Sequence, residues 1–372
     1  MTRLSSRMSY REAQEELELM WKVSVSKGGL RDVTLRHGRV ADTLISDKVN
    51  HLEATVPTPT AKPEQLVMGT DGAMVPLTSG QWREVKTVTF GEFHPRWDAK
   101  EGKVVTKTEQ ISYFSRVESA EAFNRSALVE WHRRGGENAH TVVAVQDGAL
   151  WIQSFIDYHC PQAVRVIDFA HALEYVATVG RAVHGAESPA FQQWYARMRQ
   201  QMGSQPPHRT LSELRLMQRQ HPDHPEGQAI ESAIRYLEKR LPMIDYPHFR
   251  RQQIPIGSGQ VESGHKVVMQ QRMKRAGMRW AEENLNPMLA LRMALCNQTW
   301  NITWREIEAR VRQEKYAPRQ PISPPVTHSR LVTEADCQRL TTLAGLIGPQ
   351  KRHPWRNNRW VFPYRPHSLH QN

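Results

Sequence analysis

Apolar residues fall into a run of short β-type blocks and then into long stretches at helical spacing. Ser9 to Lys27 carries Tyr10, Ala13, Leu17, Met20 and Trp21 on one helical face. Gly28-Gly29 is expected to break that helix, and Leu30 to Leu52 then reads as two short helices with a turn at His37-Gly38. Three short helices with a tight turn suit either a helix-turn-helix DNA reader or a small packing cap. Thr55 to Pro63, TVPTPTAKP, is a proline-threonine linker.

After it, Leu66-Val67-Met68 predicts a buried strand closed by Asp71-Gly72. Val85 to Phe93 alternates like an exposed-edge strand, and Val104 to Phe114 supplies a third, so the three form an antiparallel meander. Ser119 to Arg134 predicts a helix ended by Gly135-Gly136. Thr141 to Val145 is a β-branched run ending on Gln146-Asp147-Gly148. A helix follows, with Leu150, Ile152, Phe155 and Ile156 at helical spacing. Cys160-Pro161 stops it, Ala163 to Ile167 reads as a further strand closed by Asp168, and His171 lies one helical turn later. Strands joined through one helix pair in parallel with a right-handed crossover, which brings Asp147 and Asp168 to the same sheet edge.

Three meandering strands, helix, strand, helix, strand is the order of the ribonuclease-H-like fold. The expected class is therefore α/β, with three antiparallel and two parallel strands in one mixed sheet. In that fold the first and fourth strands are central neighbours, so Asp71 and Asp147 should face one another. From Ala172 to Ile254 the pattern is helical only, with breaks at Pro206-Pro207, Pro222 and Pro225, as in an insertion after the fifth strand. The expected division is a helical segment at 1–55, a linker at 56–63, a core in two parts at 64–171 and 256–316 around an insertion at 172–255, and a tail at 317–372.

Ile254 to His265, IPIGSGQVESGH, places Glu262 in the first turns of a helix opened by a Gly-Ser-Gly turn, with Ser258 as a cap. That turn lacks the Lys-Ser/Thr of a phosphate-binding Walker loop. Lys266, Arg272, Lys274, Arg275 and Arg279 follow with no acid among them. Solvated helices ordinarily mix charge signs, so this run is a candidate phosphate-binding face. Asn284 to Trp304 reads as one apolar helix, and Pro318 to Pro325 as a second linker. The tail from Lys351 to His370 has five Lys/Arg, four aromatics and no acid. Such a segment suits a flexible arm on a polyanion or a disordered end.

Charge sharpens this picture. Fifty Lys and Arg against 38 Asp and Glu leave a formal charge of +12 across 372 residues, which points to a polyanionic partner. Cys160, Cys296 and Cys337 are far apart and have no metal-ligand spacing; the sparse, odd count suits a reducing cytoplasm. No apolar run reaches the length of a membrane span.

An Asp after a strand is often only a turn or a helix cap. Asp71, Asp147 and Glu262 become informative together. Two Asp and one Glu converging at a sheet edge make an oxygen site for two Mg²⁺ (or Mn²⁺) ions. Two such ions activate water or a 3′-hydroxyl against a phosphodiester, without a side-chain nucleophile.

The segments TDGAM at 70–74, VQDGALWI at 145–152, VIDFAHALEY at 166–175 and IPIGSGQVESGHK at 254–266 resemble the DDE transposases of bacterial insertion sequences, in the Mutator-like group and its Kra-type family. HPWR at 353–356 resembles that family's ending, so the likeness runs from about Tyr10 to Trp355. The resemblance implies that Asp71, Asp147 and Glu262 are the catalytic, metal-binding triad. It assigns Asp168 and His171 to the accompanying "Cys-or-Asp, two residues, His" pair beside the site. It further implies double-stranded DNA as element ends and target, and a homodimer or larger assembly on that DNA. Family members often have a longer N-terminal region with Cys-pair motifs, absent here, and a truncated copy is therefore one expectation. Alternatives are a structure-specific nuclease on the same fold and a non-catalytic DNA-binding relic. A glycoside hydrolase with paired acids fits the positive charge poorly.

Overall fold

The computed structural model describes residues 1–99 and 102–316, without the side chain of Lys103. The expected linker at Pro318–Pro325, the basic tail and HPWR lie outside the described residues.

The chain is α/β. It starts with helices α1 (Thr2–Ser5), α2 (Tyr10–Trp21) and α3 (Lys27–Thr55). A meander follows: β1 (Gln65–Pro76), β2 (Trp82–Asp98) and β3 (Lys103–Arg116). Next come α4 (Ala120–Ser126), α5 (Leu128–Arg133), β4 (Thr141–Gln146), α6 (Leu150–His159), β5 (Val164–Ile167) and α7 (Phe169–His184). The stretch expected to be all-helical contains α8 (Pro189–Ser204), α9 (Pro207–Gln220), α10 (Gly227–Glu238) and α11 (Tyr246–Arg251). The rest comprises α12 (Gly259–Gly264), a π-helical stretch His265–Gln270, α13 (Gln271–Met273), α14 (Leu285–Cys296) and α15 (Trp300–Tyr316).

The five strands form one sheet in the order β3-β2-β1-β4-β5. β1 pairs antiparallel with β2 and parallel with β4, so the expected central neighbours are neighbours. Alternation along the central strands feeds two cores. Leu66, Met68, Val142 and Ala144 join α3, α5, α6 and α14 on one face. Val67, Val143, Val145 and Val166 pack against α7 to α11 on the other. With both faces covered, β4 is an almost unbroken apolar run, as parallel strands are.

Several sequence expectations are corrected. α3 is one helix, not two: the turn expected at His37-Gly38 is absent. Gly38 instead allows close packing, because a Cβ there would lie 2.6 Å from the Pro287 carbonyl oxygen of α14. α2 ends at Trp21, where Lys22 turns left-handed, and Gly28-Gly29 sit in the first turn of α3 beneath the Ser26 cap. Ala13 and Leu17 are buried, but Met20 and Trp21 are exposed. β2 is no edge strand, since β1 and β3 flank it. The helix expected at 119–134 is broken at Ala127, and the one at 284–304 at Asn297–Thr299, where Gln298 has a positive φ. Among the described residues no helix is long and apolar enough to cross a membrane.

Candidate metal and nucleic-acid site

At the carboxyl end of β4 the chain must turn sharply into α6. Gln146 Oε1 accepts from the Gly148 amide at 2.7 Å, and Asp147 Oδ1 from the Ala149 amide at 2.8 Å. These side-chain caps form a tight turn around Gly148, whose φ is +87°. One carboxylate oxygen of Asp147 is thereby committed to the turn, leaving the other for a ligand.

Asp71 is placed differently from its expectation. It does not close β1 but lies within it, opposite Thr87 of β2, and the strand runs on to Pro76. Pairing with β4 stops at Gly69↔Val145, so β1 passes the end of its parallel neighbour just before Asp71. Its Oδ1 accepts from the Gly72 amide at 2.7 Å. Burial pushes the Asp71 carboxyl above its ordinary pKa, and the negative charges of Asp147 and Glu84 act in the same direction. The Gly72 amide and His265 oppose that rise.

Glu262 arrives from far along the chain, on α12, after the Gly-Ser-Gly turn. Ser258 occupies the N-cap position but its side chain makes no capping bond. The turn is held from outside: Asp168 Oδ2 accepts from the Ser258 amide at 2.6 Å while its Oδ1 caps α7 through the His171 amide at 2.8 Å. Both Asp168 oxygens are thus engaged by backbone.

A cavity of about 200 Å³ is lined by Asp71, Asp147 and Glu262 together with Asp168, His171 and Glu174. All five acids and histidines singled out by sequence therefore meet in one place. Three carboxylates are a donor set that fits hard dications, and the charge crowding at Asp71 is the kind that a cation relieves. As the side chains stand, no group of three or more His, Cys, Asp or Glu among the described residues is arranged to hold an ion. Joint coordination would require side-chain rotation toward a shared centre.

His265 belongs to this neighbourhood and was missed. Its Nδ1 lies 3.7 Å from Asp71 Oδ2, and burial lowers its pKa against the pull of Asp71. The signal was its position three residues after Glu262, one helical turn along. Tyr236 and Arg240, which bind the Asp147-Gly148 turn, had no local signal.

The cationic run divides. Lys266 and Arg279 are exposed, and the Lys274 ammonium lies 5.7 Å from the Trp82 ring centre. Arg275 is exposed but paired with both oxygens of Glu12. Arg272 contradicts its expected role: it is only 1% exposed, donates to the Ser5 carbonyl at 2.7 Å and lies between the Tyr10 and Trp280 rings. Burial lowers its pKa to about 10. Its location fastens the N-terminal helices to the segment that follows Glu262, out of reach of a phosphate.

A scan against protein-family models finds no match to this chain, and a search of curated proteins finds none.

Proposed function

We propose that this chain is a DNA transposase, cleaving strands at the ends of an insertion sequence and transferring them to target DNA. The observation that supports this best is the convergence of Asp71 and Asp147, from hydrogen-bonded central strands, with Glu262 in one cavity. The strand order β3-β2-β1-β4-β5, followed by helices, supports reading the core as ribonuclease-H-like. On that reading 64–171 and 256–316 are the two parts of the core, and 172–255 is its insertion.

Asp71, Asp147 and Glu262 would hold two Mg²⁺ or Mn²⁺ ions. Bound there, such ions would activate a water or a DNA 3′-hydroxyl and stabilise the leaving oxygen of the phosphodiester. The chain's own residues do the positioning. The ladder of β1 fixes Asp71, the turn caps fix Asp147, and Asp168 holds the loop that delivers Glu262. Lys266, Lys274 and Arg279 would neutralise DNA phosphates beside the site. The partner is double-stranded DNA, on which two or more copies would assemble.

The test is a cleavage and joining assay on DNA carrying the element ends, recovered from the sequence flanking the gene. Activity with Mg²⁺ or Mn²⁺, loss in EDTA, and binding without chemistry in Ca²⁺ are expected. Cleavage without joining would make the chain a nuclease on the same fold. Metal-independent cleavage through a covalent protein–DNA link would replace the mechanism altogether.

A further inference from the structure

The turn that carries Asp147 is gripped from a part of the chain about ninety residues away. The Tyr236 hydroxyl, on α10, donates to the Asp147 carbonyl. Arg240, just past the end of that helix, donates through Nη2 to the Gly148 carbonyl at 3.0 Å. Together with the Gln146 and Asp147 side-chain caps, these bonds engage both amides and both carbonyls between Asp147 and Ala149 that face the turn.

The grip is itself held rigid. The Tyr236 ring is stacked on Tyr175 of α7 with centroids 3.7 Å apart and planes within 8°. The Arg240 guanidinium lies 3.8 Å from the Tyr236 ring centre, and its Nη1 donates to the Tyr236 carbonyl at 3.2 Å. A phenol confined by a second ring and a guanidinium keeps its hydroxyl aimed in one direction. Burial raises its pKa, so it stays protonated and remains a donor. Gly148 completes the fit: a Cβ at this position would lie 2.6 Å from both Tyr236 Oη and Arg240 Nε. The glycine serves a left-handed turn and a close approach at once.

We propose that Tyr236 and Arg240 are positioning residues for Asp147, through which α10 and the residues just past it set the geometry of the candidate metal site. This rests on the metal-site reading above. Groups that orient a ligand from behind commonly change metal affinity by tenfold or more when removed. Tyr236→Phe deletes one oxygen and leaves the stack, while Arg240→Met leaves Tyr236 free to keep its bond. Arg240→Lys retains a donor and serves as the conservative control.

The full chain is to be measured in three ways: hydrogen exchange of the 146–150 backbone, Mn²⁺ binding to the DNA-free protein by electron paramagnetic resonance, and cleavage against Mn²⁺ concentration. Tyr236→Phe should speed exchange in the turn. It should also weaken Mn²⁺ binding by about tenfold and shift the metal midpoint for cleavage upward. Saturating Mn²⁺ should restore most of the rate, and DNA affinity should stay unchanged. Arg240→Met should behave alike and Arg240→Lys should recover part of the loss. Unchanged exchange and unchanged Mn²⁺ affinity in both Tyr236→Phe and Arg240→Met would overturn the proposal. A wild-type chain that binds no Mn²⁺ would overturn the metal-site reading instead. Exchange would then still decide the positioning claim, supporting it if faster in the variants and refuting it if not.

Discussion

The carboxylate of Asp168 accepts the Ser258 amide at 2.6 Å, across ninety residues of chain. It thereby ties the end of β5 to the loop that presents Glu262, while its other oxygen caps α7. Asp168 and Asp147 end neighbouring parallel strands, yet only Asp147 retains a carboxylate oxygen for a ligand.

Substitution should separate the two. Asp147→Asn is expected to abolish cleavage and leave DNA binding intact. Asp168→Asn keeps one acceptor and loses a charge-assisted bond, costing about 2 kcal/mol of stability. Cleavage should fall but persist, and Mn²⁺ should relieve this defect and not that of Asp147→Asn. An inactive Asp168→Asn beside an active Asp147→Asn would redraw the triad through Asp168.

The cationic run should divide as its surroundings do. Lys266→Gln with Arg279→Gln should flatten the slope of log affinity against log salt by roughly 0.9 for each phosphate that is no longer neutralised. Arg272→Met should leave that slope alone and lower the urea midpoint, costing about 1–3 kcal/mol because the buried Ser5 carbonyl loses its donor. A slope that changes with Arg272 and not with the exposed pair would reverse the assignment.

Asp71 makes a prediction about acidity. Folding raises its pKa, so the folded chain binds this proton more tightly than the unfolded one. Its contribution to stability is therefore greatest below the unfolded value and declines as pH rises through the folded one. Asp71→Asn removes that decline. Since the carboxylate is partly exposed and screened, the metal-free thermal midpoint at neutral pH should rise by only about a degree or two. The stabilisation that Mn²⁺ gives the wild type should disappear in the variant, and calorimetry across pH 4–8 with and without Mn²⁺ checks both.

Gly38→Ala tests the long helix. Elsewhere in a helix this change is favourable, but here the methyl would meet the Pro287 carbonyl oxygen at 2.6 Å. Chemical denaturation should show a loss of roughly 1–3 kcal/mol. A gain would mean that α3 and α14 do not pack through this residue.

Much of the sheet was legible because its signals are local. Val142, Val143 and Val145 are apolar and β-branched, and the run ends at turn residues, so β4 stands out within a few positions. Asp147 could be found because strand, acid and glycine lie side by side. The misreadings concern what lies across the fold. His37-Gly38 looks like a turn until Pro287 supplies a reason for the missing side chain. Asp71-Gly72 looks like the end of a strand because the sequence does not show β2 continuing the ladder beside it. Arg272 looks like part of a solvent-facing run because Tyr10 and Ser5, which enclose it, lie more than 260 residues earlier. Tyr236 sits on an ordinary amphipathic helix and Arg240 just past its end, and nothing nearby in sequence marks them as neighbours of Asp147.

The two aspartates differ in mechanical standing. Asp71 belongs to a ladder in which Thr70, Asp71 and Gly72 each face a partner on β2. Moving its Cα means disturbing a strand. Asp147 stands on four residues of turn braced from α10. The cavity thus has one wall set by a strand ladder and another set by a braced turn, and the brace is α10 with the residues just past it. A displacement of the Asp147 turn would therefore be passed to Tyr236 and into α10, whereas one at Asp71 would be passed along β1 and β2.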